Sequence, residues 1–255
     1  MGFECIVYEK KKSVAVISLN RPRVLNAMNK RMWQEIQAAL DDAASDEKVK
    51  VVIFTGSGRA FSTGADLKES KTRSPEQYRD YLEALQEGSR RIIRFAKPTL
   101  AVINGYAIGS GYELALACDI RLASTEAQIG SPEAKVASSV TGGAFRLVQD
   151  LIGPGRAREL LFTGEYIDGR QAERIGLVNY ALPPEKLMDK AMEIAAKIAE
   201  NSLFSLKMIK KGLNLALGEV SLEALMDFEI EACLACVSTA DRGRALEDFQ
   251  RRKDR

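Results

Sequence analysis

The sequence predicts an α/β fold: a body of alternating strands and helices to about residue 182, then a tail that is helical throughout. Three observations carry that expectation. Residues 49–55 and 99–104 are short, continuous apolar runs, as strands covered on both faces require. Residues 29–44 carry Met32, Trp33, Ile36, Ala39, Leu40 and Ala43 at helical spacing. Beyond Pro183-Pro184 only helical periodicity remains, with breaks near Asn201, Gly218 and Ser238.

Residues 3–9 and 13–19 alternate as paired strands around Lys10-Lys11-Lys12, which reads as a solvated hairpin turn. Asn20-Arg21-Pro22 ends the second strand, and the helix over 29–44 and the strand over 49–55 follow. Residues 56–68 read as a Gly/Ser-containing loop, and residues 75–95 as a helix stopped by Lys97-Pro98. After the strand at 99–104 comes a glycine-rich stretch, 105–111, opening an apolar helix over 112–118. Short strands are expected at 119–123 and 127–130. Helix follows Pro132, with Gly153-Pro154-Gly155 as a connection, and a last strand covers 177–182. The expected division is a core over residues 1–184 and a helical region over 185–255.

Composition narrows the function. The chain has 255 residues, 46% of them hydrophobic, enough to bury a core without disulfides or metals. A formal net charge of +2 argues against a nucleic-acid binder, and no apolar run approaches the length of a membrane span. The N-terminal segment lacks the order of a secretory signal, and Ile6 stands where a myristoylation motif needs Ser or Thr. Cys5, Cys118, Cys233 and Cys236 do not form a disulfide pattern, so a reducing, cytoplasmic setting is expected. Cys233 and Cys236 lie in an apolar helical stretch and read as buried thiols, and Cys118 reads as core. There is no histidine, so Ser-His-Asp and Cys-His catalysis and His-ligated metal sites are excluded. Acid–base chemistry falls to Glu, Asp, Lys, Tyr or Cys. No metal site is expected.

Two loops and two carboxylates stand out. Ala60-Phe61-Ser62-Thr63-Gly64-Ala65-Asp66-Leu67-Lys68 follows a buried strand, and its small residues let backbone N–H groups approach a ligand. An ordinary strand-to-helix loop accounts for it equally well. Asn104-Gly105-Tyr106-Ala107-Ile108-Gly109-Ser110-Gly111-Tyr112-Glu113 also follows a buried strand and opens a helix. The first amides of a helix lack partners and sit at its positive end, where a developing anion is stabilised. A phosphate loop is the rival, but there is no Gly-Lys-Ser/Thr run, and Gly105-x-x-x-Gly109-x-Gly111 fits no dinucleotide fingerprint. Glu113 lies in that helix's first turn. Glu133, after Pro132, is placed to return to the same site by a helix–strand–turn–strand path.

In combination these segments resemble the enoyl-CoA hydratase/isomerase (crotonase) family. The resemblance rests on Ala65-Asp66-Leu67-Lys68, on residues 104–119 and on Pro132-Glu133. It extends to Asn20-Arg21-Pro22-Arg23-Val24-Leu25-Asn26-Ala27-Met28 and to Gly164-x-x-Ile167-Asp168-Gly169 with Ile175-Gly176-Leu177-Val178-Asn179. It implies a crotonase-like spiral of repeated ββα units with a C-terminal helical trimerisation region, and trimers that pair into hexamers. From composition alone, the apolar tail fits burial on its own body as well as self-association. The resemblance further implies an acyl-coenzyme A substrate, with coenzyme A as part of the substrate and no separate cofactor. The oxyanion hole falls to the backbone N–H groups of Ala65 and Ser110, and the acid–base pair to Glu113 and Glu133. Coenzyme A contacts fall to Arg23, Val24, Leu25, Ala65, Asp66, Leu67 and Lys68.

One stretch departs from the family. Typical hydratases carry a Pro-Gly-x-Gly-Gly-Thr-Gln-Arg-Leu type run; here Val140-Thr141 replaces Pro-Gly and the segment is one residue shorter. Thr141 and Phe145 are therefore expected to shape the acyl pocket. The expected activity is reversible hydration of a 2-enoyl-CoA. The alternatives are a Δ3-Δ2 enoyl-CoA isomerase, a decarboxylase or specialised dehydratase of the same fold, and a non-catalytic RNA- or partner-binding homologue. The near-neutral charge and the retained glutamates speak against the last.

Overall fold

The N-terminal hairpin pairs β1 (Ile6–Lys11) with β2 (Val14–Leu19), Ile6 facing Leu19 and Lys11 facing Val14. The chain reverses at Lys12, which takes a left-handed φ of 56°. This computed structural model describes residues 2–70, 74–218, 220–239 and 241–253, leaving aside the side chains of Leu67, Ser70, Pro75, Ala245, Asp248, Phe249, Gln250, Arg252 and Lys253. Helix α1 (Lys30–Ser45) follows, its N-terminus capped by the Asn29 side chain, which accepts from the Met32 N–H.

Three times thereafter the chain runs strand, short strand, helix. The first unit is β3 (Val51–Gly56), β4 (Ala60–Ser62), then α2 (Leu67–Ser70) and α3 (Pro75–Ile93). The second is β5 (Thr99–Ile103), β6 (Tyr106–Ile108) and α4 (Ser110–Ala117). The third is β7 (Ile120–Ser124), β8 (Gln128–Gly130) and α5 (Ala144–Thr163), which bends where Gly153 leaves helical geometry before Pro154. Then come β9 (Ile167–Asp168), α6 (Gly169–Arg174), β10 (Tyr180–Leu182) and the helices α7 (Pro184–Ala199), α8 (Leu203–Ala216), α9 (Leu222–Val237) and α10 (Asp241–Lys253).

The long strands form one sheet in the order β1-β2-β3-β5-β7-β10, and the short ones a second in the order β4-β6-β8-β9. Past the opening hairpin the large sheet is parallel throughout. Parallel strands need cover on both faces. Ala15, Ile17, Val52, Phe54, Ala101 and Ile103 face the core beneath α1. Val14, Val16, Val51, Ile53, Leu100 and Val102 face Leu187, Ala191 and Ala195 of α7. The first helix beyond residue 184 thus closes the second face of the body's sheet. The continuous apolar runs in β3 and β5 are the sequence trace of that double burial.

Two segments expected as loop contain strands: β4 lies within residues 56–68 and β6 within the glycine-rich 105–111. Three-residue strands are too short to show a period of two, and glycine obscures what remains. A further departure concerns the thiols of α9. Cys233 is exposed and Cys236 only partly buried, because among the described residues no other element covers the outer face of α9. That face carries Leu222, Met226, Ile230, Leu234 and Val237, all more than half exposed. Helix α8 is joined to the body by Lys210, buried on its inner side, which donates to Asp119 Oδ2 (2.7 Å) and to the Lys97 carbonyl (3.1 Å). Cys118 is buried in the core, and all four cysteines are free. Among the described residues no cluster of side chains is suited to hold a metal, and no helix is long and apolar enough to cross a membrane.

Candidate active site

Helix α4 is buried along its whole length and is largely apolar apart from Ser110 and Glu113. Its start is set by Gly109, at φ 52° and ψ −123°, a conformation available to glycine and closed to residues with a Cβ. Ser110 is the first helical residue, so its N–H has no intrahelical partner, and it makes no other hydrogen bond among the described residues.

The second amide belongs to Ala65. Met28 and Ala65 form a parallel bridge in which Met28 N–H donates to the Gly64 carbonyl (2.7 Å) and Asp66 N–H donates to the Met28 carbonyl (3.1 Å). Those bonds use the groups flanking Ala65 and leave its own N–H directed away from Met28, with no partner among the described residues. The two loops are in contact. A Cβ added to Gly64 would lie 2.7 Å from the Ile108 oxygen and 3.1 Å from the Ser110 nitrogen. Two open amides thus meet at one place, one from each glycine-containing loop.

Asn26 ties this cradle to the preceding segment. It is fully buried at φ 57°, donates from Nδ2 to the carbonyls of Ser57 (3.0 Å) and Ala60 (2.7 Å), and accepts the Arg21 N–H at Oδ1 (2.9 Å). Ser62 Oγ donates to the Asn26 carbonyl (2.8 Å) and accepts the Gly64 N–H (3.1 Å). Arg21 donates from Nη1 to the Ala27 carbonyl (2.6 Å) and to Asp66 Oδ2 (2.8 Å). Partial burial pushes the Asp66 carboxyl up, but the Arg21 and Lys68 N–H hydrogen bonds outweigh it and hold it below its ordinary value. Asp66 is therefore a brace between the two segments. Arg23 and Val24 are exposed on the turn beside it, Leu25 is half-buried at φ 51°, and Lys68 is exposed. The Leu67 side chain lies outside the described residues.

The carboxylates complete the site. Glu113, 4% exposed, stands one helical turn beyond Ser110. Thr141 donates to it twice, from N–H to Oε1 (2.5 Å) and from Oγ1 to Oε2 (2.7 Å). Burial raises the Glu113 carboxyl above its ordinary value; the Thr141 bonds oppose the shift and the Glu133 charge adds to it. Glu133 is half-buried on the single turn Glu133–Val136, and Ser131 Oγ donates to its Oε2. Its Oε1 faces Gly109, where an added Cβ would lie 2.8 Å away. Gly109 is thus required both for its backbone conformation and for the room it leaves Glu133.

A cavity of about 340 Å³ opens from Glu133 and is lined by Ser138, Val140, Phe145, Leu161 and Phe162 among others. Phe145 and Val140 line it, whereas Thr141 is turned onto Glu113. Sequence reasoning did not single out Asn26 or Ser131 as supports. Asn26 sits inside a quoted motif, and its left-handed conformation is one that Asn adopts more readily than most residues. Ser131, two residues before Glu133, left no signal.

This is the architecture of one known group. The sequence profile of the enoyl-CoA hydratase/isomerase family matches residues 9–255, and the chain belongs to that family. It is 36% identical to the short-chain-enoyl-CoA hydratase of Clostridium acetobutylicum, over 98% of this chain and 95% of that protein. It is 34% identical to the crotonyl-CoA hydratase of Syntrophomonas wolfei, over 98% and 96% of the two chains. Among solved structures, the enoyl-CoA hydratase of Bacillus anthracis superposes with a TM-score of 0.94 at 34% identity, covering 98% of this chain and 97% of that one.

Proposed function

We propose that this protein is an enoyl-CoA hydratase that adds water reversibly to a 2-enoyl-CoA, giving a 3-hydroxyacyl-CoA. The observation that carries the reading is the meeting of two open amides, Ala65 and Ser110, with two carboxylates, Glu113 and Glu133. The thioester oxygen accepts both N–H bonds. Water oxygen adds to the β-carbon, electron density passes to the thioester oxygen as an enolate forms, and the α-carbon then takes a proton. Each amide is worth roughly 2.7–4 kcal/mol in such a transition state. The carboxylates move the two protons, which suits a chain without histidine. Coenzyme A lies along the edge built by Arg23, Val24 and Leu25 on one side and Ala65, Asp66, Leu67 and Lys68 on the other. Arg23 and Lys68, both exposed, offset phosphate charge there. Hydration leaves the overall oxidation level unchanged, so no redox cofactor enters.

The test follows the loss of enoyl-thioester absorbance with crotonyl-CoA, with products weighed by mass spectrometry. A product heavier by one water is expected; tight binding of the thioester without turnover would overturn the hydratase reading.

The protein is further proposed to assemble as trimers that pair into hexamers, through the apolar face of α9 together with Ile209 and Leu213 of α8. In the single chain that face lies open to water, with Leu222 68% and Leu213 65% exposed. Ile230→Glu is expected to shift the sedimenting species to a lower mass; an unchanged mass would place the interface elsewhere. The free cysteines support a reducing, cytoplasmic compartment.

A further inference from the structure

We propose that Thr141 is a positioning residue for Glu113: its N–H and its hydroxyl together hold both carboxylate oxygens and fix the side chain toward the reacting atoms. The proposal deepens the hydratase reading and rests on it for the part Glu113 plays. Its basis is the pair of hydrogen bonds from one residue to both oxygens of one carboxylate, 2.5 Å to Oε1 and 2.7 Å to Oε2. A carboxylate gripped at both oxygens by one rigid residue keeps its rotamer, and a side chain held to within fractions of an ångström is what proton transfer requires.

Thr141 is itself held. The following residue, Gly142, donates its N–H to Gln86 Oε1 of α3 (2.8 Å), and the Thr141 carbonyl accepts the Ala144 N–H at the start of α5 (3.0 Å). A Cβ on Gly142 would fall 2.8 Å from Ser89 Oγ and 3.2 Å from Glu113 Cβ, so the turn is pressed against both α3 and α4. The donor pair therefore cannot swing away without disturbing three helices. Thr141 also falls in the stretch where this chain departs from the usual run of its relatives. A glycine there offers an amide alone; threonine adds a second donor and closes the grip.

Both donors require acceptor oxygens, so they favour the ionised form of Glu113 against its burial. Among groups facing it, Glu133 repels that charge from the turn after β8, and Tyr112 of the same helix is neutral, with burial holding its hydroxyl above the ordinary value. Among the described residues, helix α3 meets this turn with Gln86, Ser89 and Ile93, all uncharged. Removing the Thr141 hydroxyl therefore moves the Glu113 titration upward, and the acidic limb of activity moves to higher pH with it.

The experiment compares the parent with Thr141→Val, which keeps shape and N–H but loses the hydroxyl, and with Thr141→Ser, which keeps both donors. The first readout is ¹³C NMR titration of protein carrying [δ-¹³C]glutamate, with the Glu113 signal assigned by its loss in Glu113→Gln. The second is the pH dependence of kcat and KM with crotonyl-CoA. In Thr141→Val the Glu113 signal is expected to titrate at higher pH. The kcat at neutral pH is expected to fall about tenfold, as loss of one charge-assisted hydrogen bond implies, with KM little changed. Thr141→Ser restores both. An unshifted Glu113 titration in Thr141→Val, or failure of Thr141→Ser to restore it, overturns the proposal. Should Glu113→Gln retain full turnover, the hydratase role of Glu113 is what fails, and the NMR titration still decides whether Thr141 governs the carboxyl.

Discussion

Glu133→Gln is expected to lower kcat for crotonyl-CoA hydration by about 10²–10⁴-fold, the usual worth of a positioned acid–base group, with coenzyme A thioester affinity nearly unchanged. The two glutamates differ in what else their replacement disturbs. Glu133 is half-buried, with Oε2 on Ser131 and Oε1 open toward Gly109. An amide of the same shape fits that place, and the Ser131 hydroxyl can turn to suit either an oxygen or an NH2 group. The loss at Glu133 is therefore kinetic. Glu113→Gln is expected to be as slow, but also less stable by about 1–3 kcal/mol, because one of Thr141's two donors then meets an NH2 group in a buried site. Steady-state kinetics and thermal denaturation of the two variants side by side separate these effects. Equal activity in Glu133→Gln and the parent would remove Glu133 from the chemistry.

Arg121→Met is expected to cost about 3–5 kcal/mol of stability, lowering the melting temperature on the order of 10 °C at fixed protein concentration. Arg121 is only 6% exposed, yet no carboxylate is bonded to it among the described residues. Its guanidinium instead donates to the carbonyls of Cys118 (2.6 Å), Leu177 (2.9 Å) and Ala115 (3.5 Å). Two of those carbonyls close the C-terminal end of α4, where the helix dipole is negative and a cation is favoured. Methionine fills the volume but leaves buried carbonyls without donors. The same helix offers the Ser110 amide at its other end, so kcat is expected to fall along with stability. A melting temperature within a degree or two of the parent would show that water replaces the guanidinium.

Much of this arrangement was legible in the sequence because it is local. Double burial leaves continuous apolar runs, which is why β3 and β5 were readable to within two residues. The glycine-containing loops and Glu113 announce themselves where a strand turns into a helix. Of the second sheet β8 was legible, as the short strand expected at 127–130; β4 and β6, of three residues each, and β9, of two, were not. The supports were hidden for a different reason. Asn26 reaches Ala60 across 34 positions, Thr141 reaches Glu113 across 28, and Arg121 reaches Leu177 across 56. No periodicity records contacts at those separations. Thr141 was noticed as a departure from pattern, which drew attention to the segment without revealing which group the residue would hold.

The proposed oxyanion cradle is made of main-chain amides, and this shapes how the protein can change over generations. A side-chain donor is deleted by almost any codon change; an amide at Ala65 or Ser110 is lost only to proline. Serine can therefore stand at position 110 without taking away the donor. On the proposed reading, heritable variation is free to accumulate around the cavity lined by Val140, Phe145 and Phe162 while the two amides persist. New substrate preferences in such a scaffold need not begin by dismantling the old chemistry.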